Sequence, residues 1–378
     1  GVGLPARVSC SLTLRRGDVK LKGWDVLPSP PSAGFQGKRS GIILERSSPN
    51  HAEAQKDRSI LQIENLHTYF YTREGVVKAV NGVNLSVRDD SVLGIVGESG
   101  SGKTVMALSL LRLVPYPGEI VQGAVYFGGR NLLEIGEEEL LSVRGREIAM
   151  IFQDPLASLN PLMTIGYQIS EALLAHGTMS VVQAMRRAVE LLRELDLPEP
   201  VQKQYPHQLS GGMAQRAMIA MATAWQPQLL IADEPTSNLD MTIQADVLAR
   251  LKRLRAERHS SMVLITHNMG VIAQMTEEVA VMYAGTVVER ADTPGLFRRP
   301  YHPYTWSLFQ TIPRLDEPER ILRPIRGSAP NPIDLPDQCA FMSRCLKASN
   351  DCRLNPRPPL REIEPGHFVA CYNEITFN

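Results

Sequence analysis

The stretch Val92–Leu113, "VLGIVGESGSGKTVMALSLLRL", decides the fold. It opens on a short continuous apolar run, the mark of a strand covered on both faces, and closes on "TVMALSLLRL", which reads as a helix. Between them Gly97, Gly102, Lys103 and Thr104 satisfy the spacing G-x-x-x-x-G-K-[ST]. The glycines let backbone N–H groups curl around phosphate oxygens, and the helix N-terminus adds its partial positive charge. The loop Gly97, Glu98, Ser99, Gly100, Ser101, Gly102, Lys103, Thr104 is therefore the expected triphosphate cradle. Lys103 should reach the β- and γ-phosphates, and Thr104 should offer its hydroxyl to Mg²⁺. At average residue frequencies the pattern arises by chance in roughly one chain of this length in a hundred, before the strand and helix context is required. A mere glycine-rich turn is the weaker reading.

Three more apolar runs, "IAMIF" from Ile148, "LLIAD" from Leu229 and "MVLIT" from Met262, extend this into a parallel α/β core. From Ile60, "ILQIENLHTYF" and "VKAVNGVNLSV" alternate apolar and polar residues, which predicts half-buried antiparallel strands. Between Pro161 and Ala224 strand signals vanish, and Met185, Val189, Leu192 and Leu195 fall at helical spacing. The expectation is a P-loop NTPase, a RecA-like core over 58–292 with an antiparallel β subdomain and a helical insertion at about 161–224. From about Thr293 prolines multiply, predicting an irregular C-terminal extension over 293–378. Residues 1–57 carry scattered Pro, Ser and Gly without sustained period and read as a disordered extension. Asp18, Asp25 and Glu45 count against a transit peptide, and the lack of a continuous apolar segment there counts against a secretory signal.

The other chemistry-bearing residues sit at strand ends. Asp233 and Glu234 close the run "LLIADEP" at the C-terminal edge of a buried strand, where ligands of α/β sheets collect. Asp233 can hold the Mg²⁺ shell, and Glu234 can orient or deprotonate an attacking water. Gln153 in "IFQDP" and His267 in "LITHN" project towards the same edge. Alone, each would read as a surface glutamine or a structural histidine. A second backbone-donor device, "LSGGMAQ" at Leu209–Gln215, places Ser210, Gly211 and Gly212 at a helix start more than a hundred residues after the first loop.

In this order, Gly97–Thr104, Gln153, Leu209–Met213, Leu229–Glu234, Asp240 and His267 resemble the ATPase subunit of an ABC transporter over residues 60 to about 290. The resemblance implies that Gln153 contacts Mg²⁺ and the attacking water and senses the membrane partner, and that His267 contacts the γ-phosphate. It implies adenine stacking at Phe70, although Tyr69 and Tyr71 leave the register open, and nucleotide contact at Asp240. It also explains the second loop: Ser210, Gly211 and Gly212 of one subunit would close over the γ-phosphate held by the other. Met213, Asn238 and Asn268 depart from the residues common in the family without removing a catalytic group. "RRPYHPYTWSLFQTIPRLD" from Arg298 and "IRGSAPNPIDLPDQCAFMSRC" from Ile325 are similar to the tail of ATPases from dipeptide and oligopeptide importers, a group that includes nickel uptake systems. The implied partners are a second, identical or related ATPase chain, two transmembrane permease subunits and, indirectly, an extracytoplasmic solute-binding protein, at the cytoplasmic face of the inner membrane.

Composition narrows the alternatives. Forty basic side chains balance forty acidic ones in 378 residues, so no basic footprint for nucleic acid exists. No apolar run approaches the roughly 20 residues of a bilayer span. A soluble ABC ATPase of DNA repair or translation would bring tandem halves or coiled-coil heptads; this chain has one P-loop and no heptad run. A regulatory, non-hydrolysing subunit conflicts with Glu234 and His267. Of five cysteines, Cys10 stands apart, while Cys339, Cys345, Cys352 and Cys371 crowd the tail. Their spacing is wider than the tight pairs of structural zinc, and four thiolates suffice for a [4Fe–4S] cluster, which the family resemblance also implies. Cluster, zinc and unligated thiols stay open.

Overall fold

The structure is a computed structural model that describes residues 59–177, 179–237, 239–312, 324–333 and 335–377, with a two-residue ladder between Leu14–Arg15 and Asp18–Val19 upstream. The extension expected over 1–57 otherwise lies outside the described residues. Two sheets organise the rest. The alternating segments form β1 (Ser59–Thr72) and β2 (Gly75–Arg88), which pair antiparallel and continue through β4 (Gly118–Phe127) into the short β5 (Arg130–Asn131), in the order β2-β1-β4-β5.

The continuous apolar runs form β3 (Val92–Val96), β6 (Ile148–Ile151), β7 (Leu229–Asp233) and β8 (Ser261–Ile265), and every residue in them is buried. With both faces covered, each large aliphatic side chain there contributes about 1.5–3 kcal/mol relative to an exposed position, so no alternating pattern is tolerated. β9 (Glu278–Tyr283) and β10 (Thr286–Asp292) complete the central part of an eight-stranded sheet. Its order is β11 (Arg361–Glu364), β12 (His367–Val369), β10, β9, β3, β8, β7, β6, parallel from β9 to β6.

Register is what creates a site. Ile265 of β8 is paired with Ile95 of β3 and with Asp233 of β7, and Ile151 of β6 is paired with Ala232. Four parallel strands thus end within about one residue of each other, and the segments beginning at Gly97, Phe152, Glu234 and Thr266 all leave by one edge.

The helices that matter are α1 (Lys103–Leu110), α2 (Ile165–Leu174), α3 (Val181–Glu194), α4 (Gly211–Ala222), α5 (Met241–Arg258), α6 (Met269–Met275) and α7 (Pro303–Gln310). The insertion is helical as expected, α3 opening on a capping box between Ser180 and Gln183. Its buried stripe differs from the predicted one: Ala184, Ala188, Leu191, Leu192 and Leu195 are buried, whereas Met185 and Val189 lie on its flank. Two alanines let α3 pack closely, which rotates the face by about one residue from the bulkiest side chains.

The tail is less irregular than prolines suggested. β11 (Arg361–Glu364) and β12 (His367–Val369) form a hairpin, and β12 pairs antiparallel with β10, so the chain's last strands extend the main sheet. The fully buried Glu289 of β10 fixes this junction. Its carboxylate accepts from the backbone N–H groups of Tyr301 and His302 at 2.7 and 2.9 Å, and lies 2.7 Å from His367 Nε2. A buried carboxylate is tolerated because its oxygens are engaged in this way.

Candidate functional site

The phosphate loop is shaped by close approach to both sheets. Gly102 has φ +97°, and a Cβ there would lie 2.1 Å from the Ala79 carbonyl oxygen of β2. Gly97 meets the opposite wall, where a Cβ would come 2.2 Å from the Met282 carbonyl oxygen of β9. No side chain fits at either position, whatever the rotamer. Gly100, by contrast, has φ +76° with open space beyond. Ser99, Gly100 and Thr104 are exposed, whereas Ser101 and Lys103 are buried.

Lys103 Nζ donates to the carbonyls of Gly97 and Glu98, both at 2.9 Å, and to Ser101 Oγ at 3.2 Å. Burial pulls its pKa down, and the carboxylates of Glu234, Asp233 and Glu98 pull it back up. Asp233, only 1% exposed, has an Oδ1 with no hydrogen-bond partner. Burial pushes this carboxyl up, with the Thr104 hydroxyl acting in the opposite sense. An unpartnered, buried carboxylate oxygen near a threonine hydroxyl and a buried lysine is a donor set that fits Mg²⁺ beside a triphosphate.

Glu234 follows with φ +46°, its N–H donating to Ile265 O at 2.8 Å. Non-glycine residues adopt this left-handed backbone at a cost of order 1–3 kcal/mol, and such positions cluster at functional sites. The Glu234 carboxylate lies 3.0 Å from His267 Nδ1, the histidine itself largely exposed. Gln153 is exposed at the end of β6, and its carbonyl accepts from Ser237 Oγ at 3.2 Å. Lys103, Thr104, Asp233, Glu234, His267 and Gln153 therefore share the edge that the strand register defines.

Phe70 is half-buried against Gly118 and Val114, the latter following α1. Tyr69 leaves the other way, its hydroxyl donating to Asn81 Oδ1 at 3.1 Å, and Tyr71 is 48% exposed. The Phe70 ring and Val114 both lie within 3 Å of where a Gly118 Cβ would sit. Ser210 and Gly211 are exposed at the start of α4, with Ser210 as its N-cap, Oγ accepting from Met213 N at 3.4 Å. Gly212 is buried, and a Cβ there would come 2.8 Å from Ile243 Cγ2 of α5. Its small size thus serves packing against α5. Asp240 acts as the N-cap of α5, its Oδ1 accepting from Thr242 N and Ile243 N at 3.1 Å each.

Comparison with known proteins agrees with this geometry. Residues 80–237 match the ABC transporter family, and residues 288–352 match the oligopeptide/dipeptide transporter C-terminal region. The probable peptide ABC transporter ATP-binding protein y4tR of Sinorhizobium fredii is 47% identical over 84% of this chain and 96% of its own. The chain belongs to the ATP-binding subunits of ABC transporters. OppD of Escherichia coli, an oligopeptide transport ATP-binding protein, is 42% identical over 88% of this chain and 98% of its own. The dimeric, post-hydrolysis structure of the ATP-binding cassette MJ0796 with ADP and Pi superposes with a TM-score of 0.55 at 28% identity, covering 62% of this chain and 98% of that one.

In this ABC subunit the tail cysteines share one cavity: Cys339, Cys345, Cys352 and Cys371 line it together with His302. All four thiols are free. Burial raises the pKa of Cys339 and Cys345 and pushes Cys371 up to about 12. His302 is 1% exposed, its Nδ1 accepts from Tyr304 N at 3.0 Å, and its Nε2 has no partner. Among the described residues no three His, Cys, Asp or Glu side chains are placed to hold a metal ion. The four thiols as they stand are thus gathered neither for a zinc ion nor for an iron–sulfur cluster.

No local signal in the sequence marks Glu289 at the junction of β10 with the tail, or Tyr304 and Arg344 of the tail itself. Tyr304 was visible only as part of "HPYT", and a lone arginine before Cys345 carries no local signal. The loop's two kinds of glycine make a direct test. Gly102→Ala should lower the unfolding free energy by about 3 kcal/mol or more, because a backbone carbonyl must move, whereas Gly100→Ala should cost roughly 1–2 kcal/mol of left-handed strain. Denaturant midpoints for the two variants should differ in that order; equal midpoints would contradict the close-approach argument.

Proposed function

We propose that this chain hydrolyses ATP to power uptake of di- or oligopeptides, paired with a second ATPase chain beneath two transmembrane permease subunits on the cytoplasmic face of the inner membrane. The observation that carries the reading is the gathering of the phosphate loop, Asp233, Glu234 and His267 at one sheet edge, on a chain whose tail matches the peptide-transporter C-terminal region. The names of the relatives favour peptides over nickel. No described helix is long and apolar enough to cross a membrane, so coupling to transport passes through partner subunits. Cargo selection then belongs to those subunits and to an extracytoplasmic solute-binding protein.

The roles follow from position. Loop N–H groups and Lys103 bind the β- and γ-phosphates, Lys103 exchanging its present loop-carbonyl partners for phosphate oxygens. Thr104, Asp233 and Gln153 would hold Mg²⁺, which when bound would supply positive charge to the phosphate oxygens. Glu234 orients the attacking water and accepts its proton, and His267, already hydrogen-bonded to Glu234, aligns that carboxylate and meets the γ-phosphate. Phe70 stacks on adenine. Ser210, Gly211 and Gly212 lie exposed or just beneath the surface at a helix start, suited to closing over the triphosphate of the partner chain, with Asp240 near the seam. Hydrolysis removes the shared anion and lets the pair reopen. The intact Glu234–His267 pair disfavours a regulatory, non-hydrolysing subunit.

In the tail, the reading is a [4Fe–4S] cluster, whose number of cysteine ligands the four thiols match. Two features support this reading: the four line one cavity, and the orphaned His302 Nε2 lines it too, a buried donor that a sulfur acceptor would satisfy.

Two measurements test these assignments. Glu234→Gln should bind ATP as the parent does while steady-state phosphate release falls by about 10²-fold or more, and peptide uptake by the assembled transporter should stop with it. Phosphate release near the parental rate would overturn the role of Glu234. Anaerobically purified protein should be brown, with iron and acid-labile sulfide that disappear when the four tail cysteines become serine; a colourless, iron-free preparation would remove the cluster.

A further inference from the structure

Glu98 is the second residue of the phosphate loop, and each of its polar groups is already committed. Its carbonyl accepts from Lys103 Nζ at 2.9 Å. Its N–H donates to the Tyr304 hydroxyl at 2.8 Å. Its carboxylate accepts a two-pronged guanidinium contact from Arg344, Nη1 to Oε2 at 2.7 Å and Nη2 to Oε1 at 3.0 Å. The last two partners come from the C-terminal extension, more than two hundred residues away.

Both partners are rigidly mounted. Tyr304, in α7, is fully buried and packs against Tyr283 with ring centroids 4.5 Å apart. The Arg344 side chain is 5% exposed; its Nε donates to Arg326 O at 2.8 Å, its Nη1 also reaches the Tyr283 hydroxyl at 3.1 Å, and its guanidinium lies over the Tyr283 and Phe341 rings. A bidentate arginine–carboxylate contact fixes direction as well as distance.

The loop these groups grip is glycine-rich, and ordering it around a triphosphate costs conformational entropy. A free carboxylate in the loop would also repel the triphosphate. With its N–H tied outward and its charge matched by Arg344, Glu98 removes both penalties before nucleotide arrives. We propose that the C-terminal extension braces the phosphate loop, with Arg344 and Tyr304 as positioning residues that act through Glu98 to set ATP affinity rather than the hydrolytic step. The proposal rests on Gly97–Thr104 being the ATP site.

The test is a double-mutant cycle on the full chain. Binding of Mg·ATP is measured in the Glu234→Gln background, and KM and kcat in the otherwise unaltered protein. Arg344→Ala should raise Kd and KM for ATP by about tenfold while kcat changes by less than about twofold. Glu98→Ala should weaken binding too, and the double variant should be no weaker than the worse single one, because both remove the same contact. Tyr304→Phe, which keeps the ring packing, should shift Kd in the same direction by a smaller factor. Unchanged Kd in Arg344→Ala and Tyr304→Phe, effects that multiply in the double variant, or a fall in kcat at constant Kd would each overturn the brace. If Arg344→Ala does not fold, Glu98→Ala and Tyr304→Phe decide. Lys103→Ala separates the two readings. Parental ATP affinity in that variant would sink the ATP site itself, whereas its loss alongside normal binding by the Glu98, Arg344 and Tyr304 variants would sink the brace alone.

Discussion

The phosphate loop exists because two backbone carbonyls from two different sheets leave no room for a side chain. Ala79 O, from the antiparallel sheet, abuts Gly102, and Met282 O, from the main sheet, abuts Gly97. The loop is a wedge between the sheets, so its shape reports that both are folded and packed on each other. The rest of the site is hung from the same frame. Strand register brings Glu234, Thr266 and Phe152 out beside the loop, and the buried Asp233 faces it with an oxygen still unpartnered.

The extension is part of that frame rather than an appendage. Its hairpin lengthens the main sheet through β10, and Glu289 ties the turn at Tyr301–His302 to His367 of the last strand. From that turn, His302 lines the cysteine cavity and Tyr304 receives the N–H of Glu98. The short turn that carries Arg344 is bounded by the same cysteine set, with Met342 N donating to Cys339 O at 3.0 Å and Cys345 following at once. Cavity and phosphate loop therefore share two structural elements.

How much of this was legible depended on whether the signal was local. The buried strands, the loop and the helical insertion announce themselves in runs of a few residues, and the structure places them as the sequence implied. The placement of Glu234 and His267 was legible because each follows an apolar run, and they meet 3.0 Å apart. Phe70 was ambiguous in sequence, since three aromatics in a row share one strand; pairing of β1 with β4 sets its ring beside Gly118. The stripe of α3 was misread because alanines at 184 and 188 carry little hydropathy yet permit the closest packing. Glu289 and Arg344 were invisible: their partners lie 12 to 246 residues away, and no spacing encodes contacts that only the fold creates. Prolines in the tail hid a hairpin whose pairing depends on the edge offered by β10.

Everything proposed for the catalytic cycle assumes that nucleotide sits at a seam between two chains, each lending the serine-led start of α4 to its neighbour. The most direct measurement is a structure of the assembled transporter carrying Glu234→Gln with Mg·ATP bound. The account predicts Ser210 Oγ and the Gly212 N–H of one protomer within hydrogen-bond distance of the γ-phosphate held by Lys103 of the other. ATP bound at Lys103 with Ser210 remote from every triphosphate would contradict it.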